Sequence, residues 1–196
     1  DSGTTSHLWG VTHAHQTFIA VGDNGTILRS ANGVSWYQET VPLTNRLRAV
    51  TFGNGQFVVV GEKGIILTSP DGRNWQVTES GTTTTLNGVA FGEDRFVAVG
   101  NNRIILVSPN GQDWQQAAVE PGFESLQSIA YGQGLFVAAG DSGLVMTSPD
   151  SSSWTILRVG ENSPFWLHVV FCQDRFALSG TPGKVAYSID GTQWEV

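Results

Sequence analysis

Ser69-Pro70-Asp71-Gly72-Arg73-Asn74-Trp75 recurs, with variations, five times in this chain of 196 residues. The other copies end on Trp36, Trp114, Trp154 and Trp194, so the five tryptophans stand 39, 39, 40 and 40 residues apart. Self-similarity at that period, from one end of the chain to the other, marks a repeat architecture in which each copy is one supersecondary unit.

Laid out back from its Trp, each copy begins near Ser6, Asn45, Thr84, Glu124 or Pro164. The second copy reads as a strand from Leu47 to Phe52, a turn Gly53-Asn54-Gly55, and a strand from Phe57 to Val60. A turn from Gly61 to Gly64, a strand from Ile65 to Ser69, the Asp71-Gly72 hairpin and a last strand from Trp75 follow. Short runs rich in Val, Ile and Phe, punctuated by Gly, are the strand and hairpin signature, and no segment has a helical period. Four antiparallel strands in ~40 residues is the unit of a β-propeller blade. The expectation is therefore an all-β, five-bladed β-propeller forming one domain over residues 1–196. Its blades span about 6–44, 45–83, 84–123, 124–163 and 164–196, the last completed by residues 1–5.

A lone blade cannot bury both faces, so repeated aromatics are read as packing between blades. They are Phe18, Phe57, Phe96, Phe136 and Phe176 at one position, Phe52, Phe91, Tyr131 and Phe171 at another, and the five tryptophans. Cys172 stands where other copies have Ala14, Gly53, Gly92 and Gly132, and reads as a small buried filler. In the hairpin, the Asn or Asp at positions 32, 71, 110, 150 and 190 accepts from its own backbone, and the following Gly tolerates positive φ. Ser151 replaces that Gly in the fourth copy, where an altered turn is expected. Asp1 to Thr5 before Leu8 repeats Glu79 to Thr83 before Leu86, and Trp194-Glu195-Val196 repeats Trp75-Gln76-Val77. The two ends are therefore expected side by side, closing the ring between the first and fifth blades.

Ser-x-Asp-Gly-x-x-Trp, preceded by the Phe-Val-x-Val-Gly-x-x-Gly-x-Ile-Leu of Phe57 to Leu67, resembles a shortened form of the BNR or Asp-box repeat. That repeat is known from sialidase-like propellers, sortilin-like receptors and the photosystem II stability and assembly factor. The resemblance covers essentially the whole chain. It implies a propeller fold and, from the last two groups, a protein-interaction or assembly scaffold. Sialidase activity is not implied: it needs three arginines around a carboxylate with a Tyr nucleophile, whereas Tyr131 sits at a core position and Arg46, Arg48 and Arg103 are the arginines expected on the ligand face.

Composition narrows the function further. The net charge is -7, and ten Lys and Arg are scattered along the chain, which argues against nucleic acid and anionic membrane surfaces. No apolar run approaches a membrane span. The inner strands carry no Asp or Glu, so a glycoside hydrolase, kept as a second alternative, would depend on turn carboxylates: Asp23, Glu62 and Asp141, with Asp23 and Glu62 the pair to examine. His13 and His15 have a spacing that can serve a metal, yet one falls on a core position and the other in a turn; no metal and no cofactor are expected.

Non-repeating residues on the ligand face remain as site candidates. Trp9 and Trp166 lie outside the five-Trp pattern, near the starts of the first and fifth inner strands, with His168 after the latter. Arg48, Asn87 and Gln127 hold the position equivalent to Trp9 in blades two to four. Exposed aromatic faces beside neutral hydrogen-bonding groups suit sugar rings. The leading expectation is a non-catalytic, lectin-like carbohydrate-binding module, secreted or on a cell surface and monomeric, using Trp9, Arg48, Asn87, Gln127, Trp166 and His168. The alternative partner is an extended protein segment, which a contiguous apolar patch on the ligand face over Val41, Pro42, Leu43 and Phe123 would favour. In a further alternative, Trp9 and Trp166 plug the seam where the ring closes.

Overall fold

The computed structural model describes residues 2–162 and 164–196. Asp1, the first residue of the stretch expected to complete the fifth blade, and Ser163, at the end of the fourth, lie outside them. Five antiparallel sheets follow one another along the chain, each a simple meander. The first contains β1 (Leu8–Ala14), β2 (Thr17–Gly22), β3 (Ile27–Ser30) and β4 (Tyr37–Glu39). The second contains β5 (Leu47–Gly53), β6 (Gln56–Gly61), β7 (Ile66–Ser69) and β8 (Gln76–Thr78). The third has β9 (Leu86–Gly92), β10 (Arg95–Gly100), β11 (Ile105–Ser108) and β12 (Gln115–Gln116), and the fourth β13 (Leu126–Gly132), β14 (Leu135–Gly140), β15 (Leu144–Ser148) and β16 (Thr155–Arg158). The fifth has β17 (Phe165–Cys172), β18 (Arg175–Thr181) and β19 (Lys184–Ser188). Its outer strand is reduced to a bridge between Tyr187 and Glu195. The four-strand expectation thus holds for four sheets, because in the fifth only Glu195 and Val196 follow the hairpin Trp. None of the described helices is long or apolar enough to cross a membrane.

The hairpin works as its residue types dictate. Asp71 Oδ1 accepts from the amides of Arg73 (2.8 Å) and Asn74 (2.9 Å), Ser69 Oγ accepts from the Gly72 amide, and the Trp75 indole donates to the Gly72 carbonyl at 3.2 Å. Two backbone amides hold the Asp71 carboxyl below its ordinary range, with the Asn74 amide the larger influence. Asp150 and Asp190 are held down in the same way by the amides of the two residues that close their turns. Ser151 does not alter the fourth turn: it takes the left-handed conformation of its glycine counterparts, at φ 62°, and its carbonyl still accepts from Trp154.

Alternation along the strands gives every sheet two apolar faces. On β6, Phe57 and Val59 pack toward Ile19 and Val21 of the first sheet, while Val58 and Val60 pack toward Phe96 and Ala98 of the third. Corresponding clusters fill the third–fourth and fourth–fifth interfaces. Phe57, Phe96, Phe136 and Phe176 are completely buried, each worth roughly 2–3 kcal/mol of transfer free energy. The hairpin tryptophans are only part-buried; Trp75 lies 6.5 Å from Phe57 and covers the core edge instead of filling it.

Three further expectations differ. Cys172 is exposed, because no neighbouring ring covers the end of β17. Leu8 and Val11 of β1 are 41% and 66% exposed, so the first sheet does not share a packed interface with the fifth. Val41 and Leu43 pack into the core between sheets one and two and form no patch with Phe123.

Candidate functional site at the channel mouth

The innermost strands β1, β5, β9, β13 and β17 carry the same irregularity. Pairing with the second strand skips one residue between Leu8 and Gly10, Leu47 and Ala49, Leu86 and Gly88, Leu126 and Ser128, and Trp166 and His168. A bulge leaves one residue unpaired and re-aims its side chain. The skipped residues are Trp9, Arg48, Asn87, Gln127 and Leu167, and these five with His168 line a cavity of about 260 Å³. Beneath it, a narrower space of about 140 Å³ is lined by residues from all five inner strands.

Four of the five bulge residues are braced by the turn fourteen positions further on. The Trp9 indole donates to Asp23 at 2.8 Å, Arg48 pairs with Glu62 at 3.6 Å, Asn87 donates to Asn101 at 2.9 Å, and Gln127 donates to Asp141 at 3.0 Å. Arg46 ties the first two braces together: it bonds Asp23 at 2.6 Å, approaches Glu62 at 3.6 Å, and lies 5.2 Å from the centre of the Trp9 ring. The indole hydrogen bond, together with Arg46 and His7, holds the Asp23 carboxyl below its usual range against the opposing effect of burial.

Five of the six candidates therefore come together: Trp9, Arg48, Asn87, Gln127 and His168. Trp166 does not. It is fully buried in the core between the fourth and fifth sheets, its indole donating to the Val159 carbonyl at 3.1 Å. It stands twenty-eight residues before Trp194, as Leu8, Leu47, Leu86 and Leu126 stand before their tryptophans, and so takes the core position of those leucines. Leu167 is the mouth residue of the fifth sheet, and the repeat spacing carried the signal for it. Nor does Trp166 plug a seam between the first and fifth sheets. Asn87 is buried, its amide also donating to the Leu126 carbonyl, which makes it a brace between sheets three and four more than a free contact.

The turn carboxylates are accounted for structurally. Asp23 and Glu62 share Arg46, and Asp141 accepts from Gln127 and from the Ser125 amide. His13 stacks on Phe18 at 4.1 Å and His15 on Phe52 at 4.8 Å; among the described residues no group of three or more His, Cys, Asp and Glu has the arrangement of a metal site.

A second hollow, about 610 Å³, borders the same face where the chain passes from sheet three to sheet four, lined by residues that include Asn102, Arg103 and Val119 to Glu124. Phe123 projects there, 97% exposed. Beneath it Arg103 is buried and bonds Glu124 at 2.6 Å, which also bonds Arg158. The Arg158 bond, reinforced by Arg103, holds the Glu124 carboxyl at about 2.

Sheets arrayed side by side, with bulged inner strands around a central channel, define a β-propeller. Solved structures agree on the fold. YCF48 bound to D1 peptide superposes over 99% of this chain and 69% of its own, with a TM-score of 0.75 and 21% identity. YCF48 from Cyanidioschyzon merolae gives 0.74 and 18%, covering 98% and 72%. Virginiamycin B lyase from Staphylococcus aureus gives 0.80 at 8% identity, covering 95% and 71%. No protein-family model matches the chain, and no curated protein does.

Proposed function

We propose that the 196 residues form five blades of a propeller whose channel-mouth face binds an extended protein segment without catalysis. The observation that carries this is the ring of bulge residues. Repeating backbone geometry presents unlike side chains around one cavity: Trp9, Arg48 and Gln127, each braced by its turn, and the exposed Leu167. An extended peptide offers alternating side chains and free backbone groups to such a mixture of apolar, cationic and amide chemistry. Phe123 adds an exposed aromatic anchor on the same face. The YCF48 structure with a D1 peptide supports a peptide over a glycan as ligand. The sugar reading depended on paired aromatics, and with Trp166 in the core one remains, its indole N–H already taken by Asp23.

A displayed library of random dodecapeptides, selected on the wild-type chain, tests the proposal. Selected peptides are expected to lose about tenfold or more in affinity, about 1.4 kcal/mol, on Arg48→Ala and on Gln127→Ala, with thermal unfolding nearly unchanged. Selected peptides indifferent to both substitutions and to Phe123→Ala, or glycan-array binding with no peptide enrichment, would refute it.

A further inference from the structure

The four interfaces between consecutive sheets are built alike, and the two outer faces of the array are the halves of a fifth that is not made. At the start of the inner strand, Leu47, Leu86, Leu126 and Trp166 are fully buried against the preceding sheet, whereas Leu8 is exposed. On the opposite face, Ile27, Ile66, Ile105 and Val145 of the third strands are fully buried, whereas their counterpart Val185 is 64% exposed. A Cβ on Gly53, Gly92 or Gly132 would fall 2.0–2.2 Å from the aromatic ring of the next sheet, yet Cys172 in the same place is exposed. Gly64 sits against the Thr82 carbonyl of the following connection; its counterpart Gly183 has nothing within 4 Å of its Cβ position. Inner strands pack β1 on β5, β5 on β9, β9 on β13 and β13 on β17, and β17 makes no contact of that extent with β1.

Repeat arrays need polar outer faces on their terminal units, and Leu8, Val11, Val170 and Val185 do not supply them. The size of the gap follows from the solved propellers. The chain matches 69%, 72% and 71% of their lengths, leaving roughly 80 residues in each, about two repeats of ~40.

We propose that the open seam is the docking site for two further blades of the same repeat type, which continue the ring from the fifth sheet round to the first. The incoming blade beside β17–β19 sets its inner-strand aromatic beside Cys172, where the first sheet likewise carries a Cβ, at Ala14, in one core cluster with Phe52, and its apolar face on Val185. The blade beside β1 covers Leu8 and Val11. A second copy of the whole chain is a poorer occupant, because its remaining three sheets have no room in a gap of about two blades. This inference is independent of what binds at the mouth.

The test uses Cys172, the single cysteine in the sequence, as a reporter. In the 196-residue chain its thiol is expected to label with maleimide as fast as in urea. In a variant carrying a second copy of residues 78–156 after Val196, the register in which Val196 stands where Val77 does, labelling is expected to slow about tenfold or more, with amide exchange in β1 and β19 slowing alongside. Labelling equally fast in a folded extended variant overturns the proposal. If that variant does not fold, single substitutions in the native chain decide. Val185→Lys is expected to shift Tm by no more than about 2 °C, against a collapse for Val145→Lys. A Tm loss as large as that of Val145→Lys would show the seam already closed and overturn the proposal. So would a concentration-dependent dimer in sedimentation that Val185→Lys abolishes, by assigning the seam to a second copy.

Discussion

Gly53→Ala isolates the packing of one sheet on the next. Gly53 closes β5, and it is not among the glycines with positive φ, so alanine meets no backbone penalty there. In open space the exchange would stabilise by about 0.4–1 kcal/mol through the unfolded chain. Here a Cβ would lie 2.0 Å from Cγ of Phe91 and 2.3 and 2.5 Å from its Cδ atoms, where carbon atoms need about 3.5 Å. Phe91 is held from behind by Phe96, ring centres 4.7 Å apart, so relief of about 1.5 Å must come from separating sheets two and three. Overpacking of this kind costs about 1–3 kcal/mol, and an upper-range value less the entropic gain leaves about 2 kcal/mol. For a chain of this size that is a Tm lower by about 4–8 °C. Urea unfolding followed by tryptophan fluorescence, with Cys172→Ala at the equivalent exposed position as control, measures it. The control is expected within about 0.5 kcal/mol of wild type. A Gly53→Ala protein as stable as wild type, or more so, would show that Phe91 is not clamped and refute the interface described.

Ser151→Gly should stabilise by about 0.5–1 kcal/mol in the same assay: it removes a left-handed non-glycine residue, worth about 1–2 kcal/mol, at the loss of the Ser151 hydroxyl bond to the Asp150 carbonyl. Asp71, Asp150 and Asp190 all have depressed carboxyl pKa values, so their contribution is complete above the ordinary value of 3.8 and is lost as pH falls below it. Asn32 and Asn110 make the same turn bonds; replacing the three Asp by Asn should leave stability near pH 7 little changed and flatten the acid limb of its pH profile. Unchanged steepness below pH 4 would count against it. Glu124→Ala leaves the Arg103 guanidinium with two carbonyl contacts at 3.4 Å, and should destabilise by about 1–3 kcal/mol at neutral pH. With the Glu124 carboxyl lowered to about 2, the difference from wild type should shrink as pH falls from above 4.5 toward 2, read from urea titrations at several pH values.

The repeat made the fold legible because each blade is specified locally. Asp71 with Gly72 fixes a hairpin, Gly61 to Gly64 fixes a turn, and alternation of Phe57, Val58, Val59 and Val60 gives the sheet two apolar faces. Reading that pattern five times required no long-range inference, and the strands fell within a residue or so of expectation in the copy laid out in full. The mouth was legible to the extent that it follows the repeat. Arg48, Asn87 and Gln127 were placed by equivalence with Trp9, and all reached the cavity. Trp166 was chosen for its chemistry instead of its register, and a strand's period of two makes an error of one residue an error of face. The same spacing that identified the others pointed to Leu167.

Exposure of the outer faces is a different kind of property. Val185 and Ile66 occupy the same place in their sheets and have the same apolar character, so nothing in either residue distinguishes a buried one from an open one. What differs is whether another sheet stands opposite, which depends on how far around the ring the array reaches. Sequence similarity between Leu8 and Leu47 is therefore correct about what each side chain is made to pack against and silent about whether that partner is there. The residues that best resemble their buried counterparts while standing exposed, Leu8, Val11 and Val185, mark where such a partner fits.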